Sequence, residues 1–296
     1  MKISTILAEA EQALASHPIP NALQNARWIL AYVLGVNQSF LLAHCNEEVG
    51  EPQAGEFFNL VRQRAAGKPL QYLLGTQEFM GREYMVTPDV LIPRPETELV
   101  VEEALARLSN KAPVIVDVGT GSGCIAVSLA LAIPRAEIFA VDISRAALRV
   151  AQQNASRFGA DNVRFVEGDL LAPLRELRME GQCDLIVSNP PYVAENEIYQ
   201  LQRDVRDWEP HVALIAGLGG TALYARLIPE SAEMLKPDGW LVMEIGYNID
   251  REVRKLFNQG WRVEPTRMDQ SGIPRVIAAE KIPGLHGKDN CITLDA

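Results

Sequence analysis

The sequence predicts an α/β protein whose mostly parallel sheet ends in an antiparallel hairpin and is preceded by a small helical domain. From residue 113 onward, strand-like runs alternate with helical patterns, which is typical of parallel strands joined by crossover helices. The last two strand-like runs, 261–268 and 274–281, are separated by a short turn containing Gly272, so they should pair antiparallel at the end of the sheet. The first part of the chain, 1–75, has helical periodicity instead.

Region 1–75 contains a clear amphipathic segment that Gly35 ends. One face of that helix carries Leu23, Ala26, Leu30, Val33 and Leu34. Five basic and six acidic side chains leave the region near neutral, which excludes a basic DNA-binding module. We predict a helical bundle that recognises a partner. Residues 76–95 are rich in strand formers broken by Gly81 and Pro88, which predicts a β-hairpin linker.

The rest of the chain supplies the sheet. The predicted strands are 113–118, 137–142, 163–168, 184–189 and 240–245, and the predicted helices between them are 122–132, 144–157 and 221–235. The linker leads into Pro95-Glu96-Thr97, where Pro95 or Thr97 is expected to open a further helix. The predicted domains are therefore a helical bundle at 1–75, a linker at 76–95, a sheet domain at 96–284 and a polar, flexible tail at 285–296.

Composition indicates a soluble, cytoplasmic protein. Of the 296 residues, 48% are hydrophobic, which is enough for a core. Glu9 and Glu11 interrupt the apolar N-terminal stretch, so it is not a signal peptide, and no apolar run reaches the ~18 residues of a membrane span. The net charge of −10 disfavours direct binding to nucleic acid, because phosphates are neutralised by Lys and Arg.

Neither the cysteines nor the histidines predict a metal site. The 4 cysteines are far apart and form no C-x-x-C pair, which favours free thiols over a zinc site or a disulfide framework. The histidines His17, His44, His211 and His286 show no ligand spacing. We expect them to be structural or surface residues, and we expect no metal.

A glycine-rich loop follows the first predicted strand of the sheet. It reads Asp117-Val118-Gly119-Thr120-Gly121-Ser122-Gly123. Glycines at this place let the backbone approach a ligand closely, and the helix that follows points its N–H groups at that ligand. The spacing differs from the G-x-G-x-x-G fingerprint of dinucleotide sites. Asp117 would repel a pyrophosphate but suits an ammonium group, which favours S-adenosylmethionine (SAM) over NAD.

Two further acids follow the next two predicted strands. Asp142 lies about 20 residues after Gly123, the distance expected of an acid that binds ribose hydroxyls. Asp169 and Leu170 follow the third strand and are placed to contact the edge and face of an adenine. In a generic α/β domain these acids would instead cap helices. Their occurrence in order after successive strands favours a nucleotide-like cofactor.

The fourth predicted strand ends in Ser188-Asn189-Pro190-Pro191-Tyr192. Two prolines fix φ and lack N–H groups, so the turn is rigid and leaves carbonyl oxygens unpaired. The Asn189 side-chain oxygen and the Pro190 carbonyl can accept both hydrogens of an NH₂ group, which stabilises positive charge that develops on the nitrogen. Tyr192 would pack its ring against the planar acceptor group. Without its neighbours, the run is also compatible with a surface turn.

Several segments together cover nearly the whole chain and carry a family resemblance. They are GKPLQYLLGTQEF (67–79), VLIPRPETELVVE (90–102), VIVDVGTGSGCIAVSLA (114–130), DLIVSNPPYV (184–193), LKPDGWLVMEIG (235–246) and SGIPRV (271–276). The chain resembles the HemK-type protein-(glutamine-N5) methyltransferases that modify peptide-chain release factors. NPPY alone also occurs in adenine-N6 DNA methyltransferases, whereas the IPRPETE run is more specific. The resemblance implies a Rossmann-like SAM-dependent methyltransferase sheet behind a helical N-terminal domain.

The resemblance and the motifs together predict the site. The expected cofactor residues are Asp117, Gly119, Thr120, Gly121, Ser122, Gly123, Asp142, Asp169, Leu170 and Asn189. The expected catalytic residues are Asn189, Pro190 and Tyr192, and the substrate-binding residues are these three with Pro191, Arg94 and Glu96. Arg94, Glu96 and Glu244 lie in family motifs near the site, where they would either serve it or form a structural salt-bridge cluster between linker and sheet.

The resemblance implies a partner and a reaction. The expected reaction moves a methyl group from SAM to N5 of the glutamine in the Gly-Gly-Gln (GGQ) motif of class 1 release factors, leaving S-adenosyl-L-homocysteine. The alternatives are a glutamine of a ribosomal protein, the adenine-N6 amine of a nucleic acid, and a SAM-binding regulator without activity. The acidic charge and the IPRPETE run count against nucleic acid. The intact NPPY run counts against a pure binder.

Overall fold

The computed structural model describes residues 1–283, and the predicted tail at 285–296 lies outside them. The α-helices are α1 Ile3–Ala15, α2 Ala22–Leu34, α3 Gln38–Ala43, α4 Glu51–Ala65, α5 Leu70–Leu74, α6 Glu98–Arg107, α7 Cys124–Ala132, α8 Arg145–Phe158, α9 Ala172–Glu176, α10 Arg203–Trp208, α11 Ala222–Met234 and α12 Asp250–Arg254. The strands are β1 Thr76–Phe79, β2 Arg82–Met85, β3 Val114–Val118, β4 Glu137–Asp142, β5 Val163–Glu167, β6 Cys183–Ser188, β7 Leu235–Glu244, β8 Trp261–Val263, β9 Arg267–Met268 and β10 Pro274–Lys281. The predicted helices of the sheet domain are confirmed as α7, α8 and α11.

The described chain forms two compact units. The helical unit comprises Met1–Gln77, Val86–Pro88 and Gln200–Glu209, and the sheet unit comprises the remaining segments. Apolar side chains of α1, α2 and α4 pack together to form the core of the helical unit. The fully buried members of this core include Ile6, Leu14, Ile29, Leu30 and Phe57. The predicted helical N-terminal region is therefore confirmed.

Helix α10 belongs to the helical unit although it lies far along the chain. The buried Arg64 side chain donates from Nε to Asn25 Oδ1 over 2.9 Å and from Nη1 to the Lys68 carbonyl over 3.0 Å. The Asp204 carboxylate of α10 lies 3.8 Å from Arg64 Nη2. Burial lowers the pKa of Arg64, and Asp204 opposes that shift by stabilising the cation. The Asp204 carboxylate of α10 thus compensates the positive charge of the buried Arg64 side chain of α4.

The sheet unit is organised around one sheet with the strand order β5-β4-β3-β6-β7-β10-β8, and β9 pairs with β10. The neighbours among β3 to β7 are parallel, whereas β10 is antiparallel to β7, β8 and β9. The mostly parallel sheet with an antiparallel C-terminal end is therefore confirmed. Because the strand order reverses at β3, the carboxyl ends of β3, β4 and β6 meet at a topological switch point, where α/β sheets bind ligands.

The strand predicted at 261–268 is interrupted, so the prediction of one continuous strand was wrong. β8 ends at Val263 and β9 begins only at Arg267. Pro265 lies in the gap and has no N–H to donate to a ladder. The pairing of β9 with β10 also shifts register between Pro274 and Val276.

The linker leads into α6 through a single 3₁₀ turn, Pro95–Thr97. The prediction that a helix opens here is confirmed, since α6 begins at Glu98. Thr97 precedes the first residue of α6, but its side chain makes no capping hydrogen bond. Its hydroxyl is engaged elsewhere, as described below.

Residues 1–283 contain neither a membrane-spanning helix nor a group of side chains suited to a metal ion. Within that range, no helix is long and apolar enough to cross a membrane. In the same part of the chain, no three side chains of His, Cys, Asp or Glu are grouped so that they could hold a metal ion. Cys124 and Cys183 are buried free thiols and Cys45 is a half-buried one, and Cys291 lies outside the described residues.

Candidate active site

A cavity of about 640 Å³ opens in the sheet unit at the carboxyl ends of β3, β4 and β6. This volume falls within the ~300–1,000 Å³ typical of ligand pockets. Most of the predicted site residues form its wall: Gly119, Thr120, Gly121, Ser122, Asp142, Asp169, Leu170, Asn189, Pro190 and Pro191. Five other predicted residues lie outside the described wall: Asp117, Gly123, Tyr192, Arg94 and Glu96.

The glycine loop takes a conformation that only glycine adopts without strain. Gly119, Gly121 and Gly123 have φ angles of 72°, 55° and 80°, in the left-handed region. A Cβ on Gly123 would also lie 2.9 Å from the Ala151 Cβ, so glycine is needed for α7 to begin this close to α8. The loop is held in place because Gly119 N and Thr120 N donate to the Val141 carbonyl over 2.8 and 3.0 Å.

Asp117 is fully buried behind this loop. Its Oδ2 accepts hydrogen bonds from Thr120 Oγ1 over 2.6 Å and from Ala126 N over 3.1 Å. Among residues 1–283, Asp117 Oδ1 has no hydrogen-bond partner. Burial raises the pKa of this carboxyl to about 7. An unpaired buried acceptor is costly unless a ligand satisfies it, so the arrangement fits a cationic or N–H donor at the loop.

The raised pKa predicts how Asp117→Asn changes the free energy of unfolding of the ligand-free chain. Unfolded aspartate titrates near ~3.9, so between about pH 4 and pH 7 the folded chain holds a proton that the unfolded chain has lost. The contribution of Asp117 to the free energy of unfolding therefore falls as pH rises through this window, by up to ~1.4 kcal/mol per pH unit. Asparagine does not titrate.

In urea titrations, the stability of the Asn variant relative to the unsubstituted chain should grow from about pH 4 to pH 7 and then level off. A difference that stays constant over this range would contradict the raised pKa of Asp117.

Asp142 ties two loops of the cavity together. Its Oδ2 accepts from Gly121 N over 2.9 Å, and its Oδ1 accepts from Ser144 N over 2.8 Å. Burial raises the pKa of this carboxyl, and the backbone donors Ser144, Gly121 and Ile143 oppose that shift. Each carboxylate oxygen has a second lone pair, so both oxygens remain able to accept from a diol. This geometry fits the ribose role predicted from the sequence.

The segment after β5 forms another part of the wall. Gly168 N donates to the Asp142 carbonyl over 3.0 Å, and a Cβ on Gly168 would lie 2.1 Å from Pro173 Cγ. The half-exposed Asp169 carboxylate accepts from Arg226 Nη2 over 2.7 Å, and Arg226 lines the cavity beside it. The predicted contacts of Asp169 and Leu170 with an adenine stay predictions.

The NPPY turn follows β6 directly. Ser188 Oγ donates to the Val118 carbonyl over 2.8 Å, which fastens the end of β6 to β3. Asn189 Nδ2 donates to Thr97 Oγ1 over 3.1 Å. Asn189 lines the cavity beside Pro190. Since its Nδ2 is bonded to Thr97, its Oδ1 is the end of the amide that remains to accept a hydrogen bond. The turn can offer two oxygen acceptors to an incoming NH₂ group.

Tyr192 closes the turn and packs closely on glycine backbone. A Cβ on Gly246 would lie 2.6 Å from Tyr192 Cδ2, and a Cβ on Gly220 would lie 2.6 Å from the Tyr192 carbonyl oxygen. Burial raises the pKa of Tyr192 to about 12, so its hydroxyl stays protonated at neutral pH. That the Tyr192 ring packs against the acceptor group stays a prediction.

Gly246→Ala is expected to slow methyl transfer ~10-fold or more, because the added methyl group must displace the Tyr192 ring and shift the turn. The affinity for SAM should change little. Single-turnover rates and calorimetry measure the two effects. Gly55→Ala in α4 is the matched control, since nothing lies within 4 Å of its added Cβ. A Gly246→Ala rate equal to that of the control would contradict this packing role.

Arg94 and Glu96, which the sequence offers as substrate-binding residues, have a different setting. Arg275 Nη2 lies 3.9 Å from Glu96 Oε1, and Arg275 Nε donates to Asp269 Oδ2 over 2.9 Å. This geometry favours the salt-bridge interpretation for Glu96, linking the linker run to β10. A role of either residue in substrate binding stays a prediction.

Sequence reasoning missed several residues of the site. Thr97 was assigned only to the start of a helix, yet it lines the cavity and contacts Asn189. Gly220 and Gly246 were given no role. His211, taken as structural or surface, is exposed and contributes to the cavity wall. For Gly220, the signal in the sequence was the run of glycines in 216–220, because closely spaced glycines indicate a tight turn.

Comparison with known families defines the class of protein. A methyltransferase-domain family matches residues 109–262, and the PrmC N-terminal domain family matches residues 5–75. A methyltransferase from Pyrococcus furiosus shares the fold, with a TM-score of 0.51 at 18% identity over 69% of this chain and 91% of that one. With its sheet and glycine loop, the chain is a SAM-dependent methyltransferase.

Full-length relatives narrow the class. Release factor glutamine methyltransferases from Koribacter versatilis and Geobacter sulfurreducens are 40% and 42% identical to this chain, over 95% and 89% of it and over 99% and 91% of their own lengths. The protein of the same name from Bordetella pertussis is 45% identical over 85% of this chain and 92% of its own. The chain belongs to the release factor glutamine methyltransferase family.

Proposed function

We propose that this protein transfers the methyl group of SAM to N5 of the glutamine in the GGQ motif of class 1 peptide-chain release factors. The names of its full-length relatives support the substrate class. The observation in the structure that carries the proposal is the orientation of Asn189, whose Nδ2 is engaged by Thr97 so that Oδ1 is left for an N–H donor.

The residues of the cavity fit SAM. The left-handed glycines allow close approach of a ligand, and Asp142 can accept from ribose hydroxyls. Behind the glycine loop, outside the described wall, Asp117 Oδ1 is a buried acceptor without a partner in residues 1–283. When bound, SAM supplies an electrophilic methyl group on a sulfonium. We assign its methionine end to the Asp117 loop and its ribose to Asp142.

The NPPY turn then deals with a weak nucleophile. The lone pair of an amide nitrogen is delocalised, so the nitrogen attacks poorly. Asn189 Oδ1 and the Pro190 carbonyl accept its two hydrogens, hold it in line and stabilise the positive charge that develops on it. The rigid prolines keep these acceptors in place without reorganisation. No strong base is required, because the methylated amide loses a proton readily to water.

Selection for protein over nucleic acid has separate support. An exocyclic adenine amine would satisfy the same two acceptors, so the turn alone does not discriminate. The net charge of −10 disfavours a polyanion. A flipped adenine also requires unstacking, whereas a glutamine flanked by glycines enters a narrow cavity without steric cost. We assign recognition of the folded release factor to the helical N-terminal region, 1–75.

Labelling of separate candidate acceptors tests the proposal. Purified class 1 release factor, ribosomal protein and duplex DNA are each incubated with the full chain and isotope-labelled SAM, and the labelled residue is located by mass spectrometry. We expect label on the GGQ glutamine. A release factor with this glutamine replaced by glutamate is the control and should stay unlabelled. Label on DNA, on ribosomal protein alone or on another release-factor residue would refute the proposal.

A further inference from the structure

Asn189, which is half-buried, is the first member of a hydrogen-bonded network of three side chains whose other two members are buried. Its Nδ2 donates to Thr97 Oγ1 over 3.1 Å, and Thr97 Oγ1 donates to Glu244 Oε2 over 2.6 Å. Thr97 is 3% exposed and Glu244 is 1% exposed. The three residues come from the NPPY turn, the 3₁₀ turn before α6 and the end of β7. These hydrogen bonds therefore link the reaction site to two elements that are far apart in the sequence.

The bond to Glu244 decides which groups donate and which accept in both hydrogen bonds of this network. Burial raises the pKa of Glu244 to about 7, and in either protonation state its carboxyl keeps an oxygen that accepts. The Thr97 hydroxyl donates to that oxygen, so its single hydrogen is committed to Glu244. Toward Asn189 the hydroxyl can then present only a lone pair. An amide has a donor end and an acceptor end of nearly equal size, and only its donor end satisfies that lone pair.

A purely structural role for Thr97 would look different. Threonine before a helix usually caps it through the side chain, but the Thr97 side chain makes no such bond to α6. Its hydroxyl instead joins Glu244 and Asn189 in the buried interior. Tyr224 holds the same region from the other side, since its hydroxyl donates to the Glu244 carbonyl over 3.0 Å. The backbone of Glu244 is thereby anchored independently of Thr97.

The orientation matters because a flipped Asn189 would set an NH₂ group against the NH₂ group of the acceptor. Two donors that face each other repel, and one acceptor of the pair is lost. We propose that Thr97 and Glu244 are positioning residues that fix the Asn189 amide with Oδ1 toward the acceptor nitrogen. The inference rests on the proposed transfer to an NH₂ group.

Thr97→Val tests the inference, because it keeps the shape of threonine and removes the hydroxyl. At saturating SAM and acceptor, we expect its single-turnover rate to fall ~10-fold or more, since the amide is no longer held in the reactive orientation and position. Thr97→Ser restores the hydroxyl and should stay within about threefold of the unsubstituted protein. The KM for acceptor and the affinity for SAM should change much less than the rate.

Ser128→Ala in α7 is the matched control. The Ser128 hydroxyl is buried and bonded to the Tyr84 hydroxyl over 2.9 Å, and the residue lies outside the described cavity wall. Its loss should lower thermal stability about as much as Thr97→Val does, without lowering the rate. Glu244→Gln replaces the carboxyl that accepts the Thr97 hydrogen by an amide that can present either an acceptor or a donor to Thr97, and it should lower the rate several-fold.

The outcomes separate this inference from the proposed function. Equal rates for Thr97→Val and the unsubstituted protein, or equal losses in Thr97→Val and Thr97→Ser, would overturn the positioning role while methylation of glutamine stands. An unchanged rate in Glu244→Gln would show that Glu244 has no positioning role. If the unsubstituted protein labels a different acceptor, the proposed function fails, and the same rate comparison on that acceptor still decides the role of Thr97.

Side-chain NMR tests the bond without any rate. In the full chain labelled with ¹⁵N-asparagine, the Asn189 amide signals are assigned by their loss in Asn189→Ala. One Nδ2 proton should exchange with water more slowly than the Nδ2 protons of exposed asparagines, and Thr97→Val should abolish that protection. Equally fast exchange in the unsubstituted protein would overturn the inference even if Thr97→Val fails to fold.

Discussion

Asn189→Ala is expected to lower the single-turnover rate of methyl transfer ~100-fold or more, as removal of a preorganised transition-state hydrogen bond does in other enzymes. Asn189 Oδ1 is an acceptor in the wall of the cavity, and its orientation is held by Thr97. Positive charge develops on the acceptor nitrogen only as the new bond forms, so this acceptor acts mainly in the transition state. The rate should therefore fall far more than the affinity for the release factor.

The fold of Asn189→Ala should remain intact. The turn is held by Ser188 Oγ on the Val118 carbonyl and by the fixed φ of Pro190 and Pro191. Thermal unfolding and calorimetric SAM binding provide the controls. A rate within about threefold of the unsubstituted protein would mean that Asn189 does not grip the nitrogen.

The fold and the cofactor loops were predictable because their signals are local. Alternating strand and helix patterns identify a parallel sheet, and polar loops that follow successive strands must meet at its carboxyl edge. For that reason the glycine loop, Asp142 and Asn189 line one cavity, as the sequence suggested. The interruption at Pro265 was also a local signal, since proline cannot continue a ladder on both sides.

The rest of the site depends on pairs that no periodicity reveals. Thr97 and Glu244 are 147 residues apart in the sequence but share a hydrogen bond of 2.6 Å. Gly246 owes its identity to the Tyr192 ring, which a Cβ would approach to 2.6 Å. The motif IPRPETE was noticed, yet the task of its threonine became visible only when the end of β7 was placed beside it. Likewise, nothing local in α10 indicates that Asp204 faces the buried Arg64.

Asp142→Ala is expected to weaken SAM binding ~100-fold or more. The carboxylate holds Gly121 N and Ser144 N, and it lines the cavity, where its remaining lone pairs can accept from the ribose that we assign to it. Charge-assisted hydrogen bonds contribute ~1.5–3 kcal/mol each, and ~1.4 kcal/mol corresponds to a tenfold change in affinity. Loss of two ribose bonds therefore predicts the expected change, and relaxation of the glycine loop adds to it. Isothermal titration calorimetry of SAM and of S-adenosyl-L-homocysteine measures it.

Asp142→Asn separates the two tasks of the carboxylate. The single oxygen of the Asn side chain can accept from Gly121 N with one lone pair and from a hydroxyl with the other. Its NH₂ group lies opposite Ser144 N, so two donors face each other and the bond to Ser144 is lost. We expect an affinity between those of the Ala variant and the unsubstituted protein, about tenfold below the latter. SAM and S-adenosyl-L-homocysteine should lose affinity by the same factor, because both contain the ribose. If both variants bind SAM as tightly as the unsubstituted chain, the ribose does not lie at Asp142, and the orientation assigned to SAM in the cavity is wrong.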